Sequence, residues 1–248
     1  MPLGAQTDVT VLNGVPFTDR SFSIPVLFGG VVAVRRMHGQ RMNVAGLPVS
    51  GEPRDWLTPE VAVMTRPGVF PLPVRPVPVA RLRRIRRSVN RLADLLPHWR
   101  PLMALPVEFH LTEQGDTSLS ASSYLWPQHV LLGDAAFDSN EALDELIVHE
   151  LCHQWLYLIE ELWPFDVPDA RRVALPSGTP NRAPREVIGA AHVAAATLCM
   201  YQALGVHGGE RVEMFTEYGR GCLALLDELD TDLTPAGRTV AGHLKEAI

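Results

Sequence analysis

The sequence predicts an α+β fold, with a strand-containing N-terminal part followed by a helical half arranged around one buried helix. Three observations carry that expectation. The first third is rich in Val, Pro and Gly, as in "SFSIPVLFGGVVAV" and "GVFPLPVRPVPVA", where short β-branched runs are cut by breakers in the manner of strands and extended connections. From Pro78 onward the apolar residues recur at helical spacing. Two extended segments, "PVEFHLTE" and "HVLLGD", then lead into helical runs that occupy most of the remaining chain. Residues 1–248 are read as a single domain, with 1–135 its mixed strand and helix part and 136–248 its helical part.

The elements follow in order. Leu82, Ile85, Val89, Leu92 and Leu96 mark an amphipathic helix that Pro97 ends, and its other face carries Arg81, Arg83, Arg84, Arg86, Arg87 and Arg91. A second helix is predicted over about 139–162, opened by Asp138 and Glu141 in a capping-box pattern and closed before Pro164. Apolar residues surround it on almost every side, so it should be central and buried. Residues 163–184 hold Pro164, Pro168, Pro176, Pro180 and Pro184, which excludes a helix or central strand and predicts a long loop. Pro184 suits the first turn of a third helix and Gly205 its end; the stripe Gly189, Ala190, Ala194 and Ala195 would let another helix approach closely. Two more helices are predicted over 209–229 and 235–247, the latter capped by Thr234 with Pro235 at its first position.

Bulk properties narrow the function. In 248 residues, an apolar fraction of 46% is ample for a core, and a net charge of -6 makes no general case for nucleic-acid binding. The six arginines of the first helix have no interleaved aromatics and read as a solvated face. The N-terminus shows no basic start with an apolar core, and no segment approaches a membrane span, so a cytoplasmic protein without membrane attachment is expected. Cys152, Cys199 and Cys222 are widely spaced and read as buried free thiols.

The chemistry is concentrated in "ELIVHELCHQWLYLIEEL", where His149, Glu150 and His153 form a His-Glu-x-x-His pattern. Residues four apart on a helix differ by about 40° and about 6 Å along the axis, so both imidazoles can reach one cation. Cys152 points elsewhere and is not read as a nucleophile. A third ligand is expected from the next helix, which offers Glu186 and His192; about 120° of helix rotation separates them, so only one can serve. With Glu186 the set is two imidazoles and a carboxylate, as in a zinc peptidase whose general base is Glu150. With His192, Arg185 lies seven residues earlier on the same face and Gly189 between them leaves room for a short dicarboxylate held bidentately by the guanidinium. His98, His110, His129 and His207 stand alone and read as ordinary surface or capping histidines.

These residues resemble the HExxH-type, 2-oxoglutarate-dependent peptide β-hydroxylases that modify ribosomally made peptide natural products. The likeness rests on "LDELIVHELCHQ", the Pro- and Arg-containing loop, "NRAPREVIGAAH", "SSYLWPQHVLLGD" and "DLTPAGRTVAGHL", and covers roughly residues 120–248. It implies Fe(II) held by His149, His153 and His192, 2-oxoglutarate as cosubstrate, and hydroxylation of a β-carbon in a peptide substrate that carries or lacks a leader segment. Together with the spacing it assigns the far carboxylate of the cosubstrate to Arg185, with Arg182 next in line, and the space beside it to Gly189. Val193 stands where a glycine is expected, and alanines replace the aromatic residues that follow it, which implies a differently shaped pocket. The other readings are the zinc metallopeptidase and a peptide-binding protein whose metal is structural.

Overall fold

A computed structural model of the chain describes residues 8–49, 51–113 and 118–248. The stretch read as free of a targeting signal begins with residues 1–7, which lie outside the described residues. The chain forms two compact units, one of Leu27–Leu162 and the other of Met1–Val26 with Trp163–Ile248.

Helix α1 spans Ile24–Arg41, followed by α2 (Pro53–Trp56), α3 (Pro59–Thr65), strand β1 (Val74–Pro76), α4 (Val79–Leu95), α5 (Arg100–Met103), strands β2 (Glu108–Thr112), β3 (Ser120–Ser123) and β4 (Trp126–Leu132), and α6 (Asn140–Glu160). The α+β class is as the sequence predicts. The first third is not: "SFSIPVLFGGVVAV" was expected as strand and forms most of α1. Four of its five buried residues, Leu27, Val31, Arg35 and Gly39, are four apart and make one helical stripe, but the last two are not large apolar side chains, which hides the period. Gly30, which reads as a breaker, is a packing residue, because a Cβ there would lie 2.6 Å from Leu162 Cδ1.

The sheet order is β1-β2-β4-β3, with β2 and β4 parallel and the other pairs antiparallel. Every residue of β4 is buried, as expected of a strand covered on both faces. The amphipathic α4 matches its predicted extent and buries Ile85, Ser88, Leu92 and Ala93. Its arginines are partly fasteners rather than a free solvated face: Arg91 Nε donates to Asp144 at 2.8 Å, Arg84 donates to Phe137 O at 2.6 Å, and Arg81 pairs with Asp134. Helix α6 is capped by Ser139, whose hydroxyl accepts from Ala142 N at 2.9 Å, and not by Asp138. The reason is local: a 3-10 turn over Asp134–Phe137 leaves Asp138 in helical geometry, so the extended capping conformation falls one residue later.

In the second unit, α7 (Pro184–Ala203), α8 (Glu210–Glu228) and α9 (Pro235–Ala247) take their predicted places. Ala194 of the small-residue stripe meets α8 at Gly219, where an added Cβ would lie 3.2 Å from Ala194 Cβ. Thr234 caps α9 by accepting from Gly237 N at 3.1 Å. The proline-rich loop is pinned by Arg171, whose Nε donates to Asp232 at 2.7 Å, and by paired backbone bonds between Val173 and Arg182. Among the described residues no helix is long and apolar enough to cross a membrane.

Candidate metal centre

Helix α6 buries most of its surface, but Ala142, Leu146, His149, His153 and Tyr157 are only half-buried and lie three or four residues apart. The predicted burial all round therefore has one accessible stripe, and both imidazoles are on it. His149 Nε2 and His153 Nε2 are 3.2 Å apart. With metal–nitrogen bonds of about 2.1 Å, two ligands at a right angle are about 3.0 Å apart and two at the tetrahedral angle about 3.4 Å. The observed spacing lies between those limits, so the pair suits one shared ion; without an ion, one ring N–H donates to the other ring's lone pair.

Glu150 is buried beside them, with its side chain 2% exposed and Oε1 3.8 Å from His149 Nε2. Its Oε2 has no hydrogen-bond partner among the described residues. An unsatisfied buried carboxylate oxygen costs about 1–3 kcal/mol or more, so a hydrogen-bond donor from a bound group is favoured there. His149, Glu150 and His153 are thus brought together within Leu27–Leu162.

The remaining predicted residues belong to the other unit. His192 is fully buried on α7, and its Nε2 lies 2.7 Å from Pro16 O. A carbonyl can only accept, so Nε2 carries the proton and Nδ1 the lone pair, the arrangement that a metal-ligating imidazole commonly has. The carbonyl is positioned by an unusual turn: Phe17 has φ 67°, a costly conformation for a bulky residue, and Asp19 braces it by accepting from Val15 N at 2.7 Å.

Arg185 is 39% exposed, 3.5 Å from Asp166, and lines a cavity of about 550 Å³ with Asp166, Arg172 and Ala183. Gly189 is buried midway between Arg185 and His192 on α7. Arg182 and Glu186 hold each other at 2.6 Å, and the second oxygen of Glu186 accepts from Ala183 N at 2.8 Å at the start of α7. The carboxylate considered as an alternative metal ligand is therefore engaged as a helix-start brace.

None of the three cysteines is in a disulfide among the described residues, and burial pushes Cys222 up to about 11, which keeps it protonated and unreactive near neutrality. Sequence reasoning missed a second cluster, Glu108, His110 and His129, whose ligand atoms lie within 4.8 Å of one another. Burial holds the His110 imidazole below its ordinary range. The signal available in sequence was Glu108-x-His110, two residues apart and hence on one face of a strand; the third member depends on strand pairing. No family model matches the chain, and no curated protein is significantly similar to it.

Proposed function

We propose that the protein is an Fe(II)- and 2-oxoglutarate-dependent oxygenase that hydroxylates the β-carbon of a residue in a ribosomally made peptide. The observation that carries this reading is the convergence of the His149 and His153 Nε2 atoms, 3.2 Å apart, on the one accessible stripe of a buried helix. His192 enters as third ligand on the resemblance and on its tautomer, which puts a lone pair on Nδ1. The engagement of Glu186 with Arg182 and Ala183 favours an imidazole over that carboxylate as third ligand, and the choice of iron then rests on the resemblance.

Bound iron and cosubstrate would supply the oxidising chemistry, in which O2 and 2-oxoglutarate are consumed, succinate and CO2 leave, and one oxygen atom enters the C–H bond. The side chains have positioning roles. Arg185, which lies 3.5 Å from Asp166, would take the far carboxylate of the cosubstrate as a bidentate pair. Gly189 leaves space beside it. Glu150, buried against His149, would hold a proton at its Oε2 or accept one there. A cytoplasmic enzyme suits both the free thiols and a ribosomal substrate.

The test is anaerobic addition of Fe(II) and 2-oxoglutarate, followed by the visible charge-transfer band of the chelate. The band is expected in the native chain and absent in His149→Ala and His192→Ala. Arg185→Ala should weaken cosubstrate binding roughly 10–100-fold, the loss of a charge-assisted bidentate contact. Peptide hydrolysis with zinc that survives His192→Ala but not Glu186→Ala would establish the peptidase instead.

A further inference from the structure

A second group of metal-ligating side chains lies in the sheet of the Leu27–Leu162 unit. Glu108 and His110 project from the same face of β2, and the parallel pairing sets Glu108 opposite His129 of β4. His129 therefore shares that face, and it sits beside a distortion on the β3 side. Ser122 pairs with Val130 and Ser123 with Trp126, so Pro127, Gln128 and His129 have no partners across on β3. Gln128 takes φ 60° at the bulge and is clamped there: its side-chain amide donates to Leu57 O and Pro106 O, each at 2.6 Å, and its N–H donates to Gln154 Oε1 at 2.7 Å. Bulges re-aim side chains, and this one stacks Trp126 on His129 with ring centroids 4.3 Å apart.

The donor atoms are prepared for a cation. His129 Nδ1 lies 2.8 Å from Pro127 O and must carry the proton, which leaves the lone pair on Nε2, 3.4 Å from Glu108 Oε2. His110 Nε2 lies 3.8 Å from Glu108 Oε1, is shielded from solvent and has no hydrogen-bond partner among the described residues. Both gaps exceed a direct hydrogen bond and are close to the edge of a tetrahedral coordination shell, about 3.4 Å for bonds of about 2.1 Å. Glu108 is 53% exposed, so an ion there is open to water on one side.

We propose that Glu108, His110 and His129 form a second metal site, distinct from the α6 histidines, that takes a borderline divalent cation of the zinc and cobalt class with water in its open position. Two imidazoles and one carboxylate select that class over magnesium or calcium, which take oxygen ligands. An ion there ties the parallel pair β2 and β4 together at the bulge.

The experiment is Co(II) titration of the full chain, followed by the visible bands of a four-coordinate site. In a chain carrying His149→Ala and His153→Ala, one equivalent should still bind. Adding Glu108→Gln should weaken it by more than the roughly 10–100-fold that loss of a supporting hydrogen bond costs. Glu108 is half-exposed, so this variant should fold, and Zn(II) should raise the thermal midpoint of the parent but not of the variant. If the α6 pair binds no metal, the native chain takes one equivalent that Glu108→Gln alone removes, and the proposal stands. Binding lost with the α6 histidines, or indifferent to Glu108→Gln, overturns it.

Discussion

At the scale of single residues, Glu161 shows what pairing at a distance in sequence does. Its carboxylate receives Arg35 Nε at 3.0 Å and Nη2 at 2.9 Å, while Arg35 Nη1 donates to Trp56 O at 2.9 Å and the arginine is 1% exposed. Glu161→Ala would leave a buried guanidinium without its counter-charge, so a loss of about 3–5 kcal/mol is expected in urea unfolding. Replacing both, with Arg35→Met and Glu161→Leu, removes the stranded charge and should recover much of that loss. A single-variant loss below about 1 kcal/mol would show that water reaches the pair. Neither residue is conspicuous in the sequence, where each reads as an ordinary surface charge. The same contrast separates the two histidine groups. His149 and His153 are legible because helix spacing is local, whereas His129 joins Glu108 and His110 only through strand register.

At the scale of elements, α4, α6, α7 and α9 were readable because a proline at or near a helix end accompanies a long helical run in each. Helix α1 was not, since an arginine and a glycine occupy its buried stripe. Helix α9 provides a sharp test of when local propensity prevails. It contains Gly237 and Gly242, and propensity alone favours alanine at both by about 1 kcal/mol. At Gly242 an added Cβ meets nothing within 4 Å, so Gly242→Ala should stabilise by about 0.5–1 kcal/mol. At Gly237 the Cβ would lie 2.2 Å from Phe165 O, a backbone atom that cannot swing aside. Gly237→Ala should therefore destabilise, by roughly 1–3 kcal/mol as overpacked sites do. Thermal midpoints moving in opposite directions confirm the contrast; two upward shifts would mean that the loop at Phe165 yields.

At the scale of the whole molecule, the chain's order and its packing do not coincide. The unit that contains α7, α8 and α9 also contains the N-terminal segment, although Leu27–Leu162 separates them in sequence. Val9, Leu12, Val15 and Phe17 are each no more than 4% exposed. Burying four such side chains is worth roughly 6–12 kcal/mol as an upper estimate, comparable with the roughly 5–15 kcal/mol that stabilises a typical domain. A chain beginning at Ser23 should thus lose the folded state of its C-terminal unit. Trypsin is expected to cut it rapidly at Arg171, Arg172, Arg182 and Arg185, positions that the native chain protects through the Asp232 and Glu186 pairs and the Val173 bonds. The fragment that ends at Arg171 and carries the sheet and α6 should persist longer, since those elements draw their contacts from Leu27–Leu162. The same truncation removes Pro16 O, the acceptor that fixes the His192 tautomer, so on the proposed reading iron affinity falls along with protease resistance. A cleavage pattern unchanged by the truncation would mean that the three C-terminal helices hold their fold unaided.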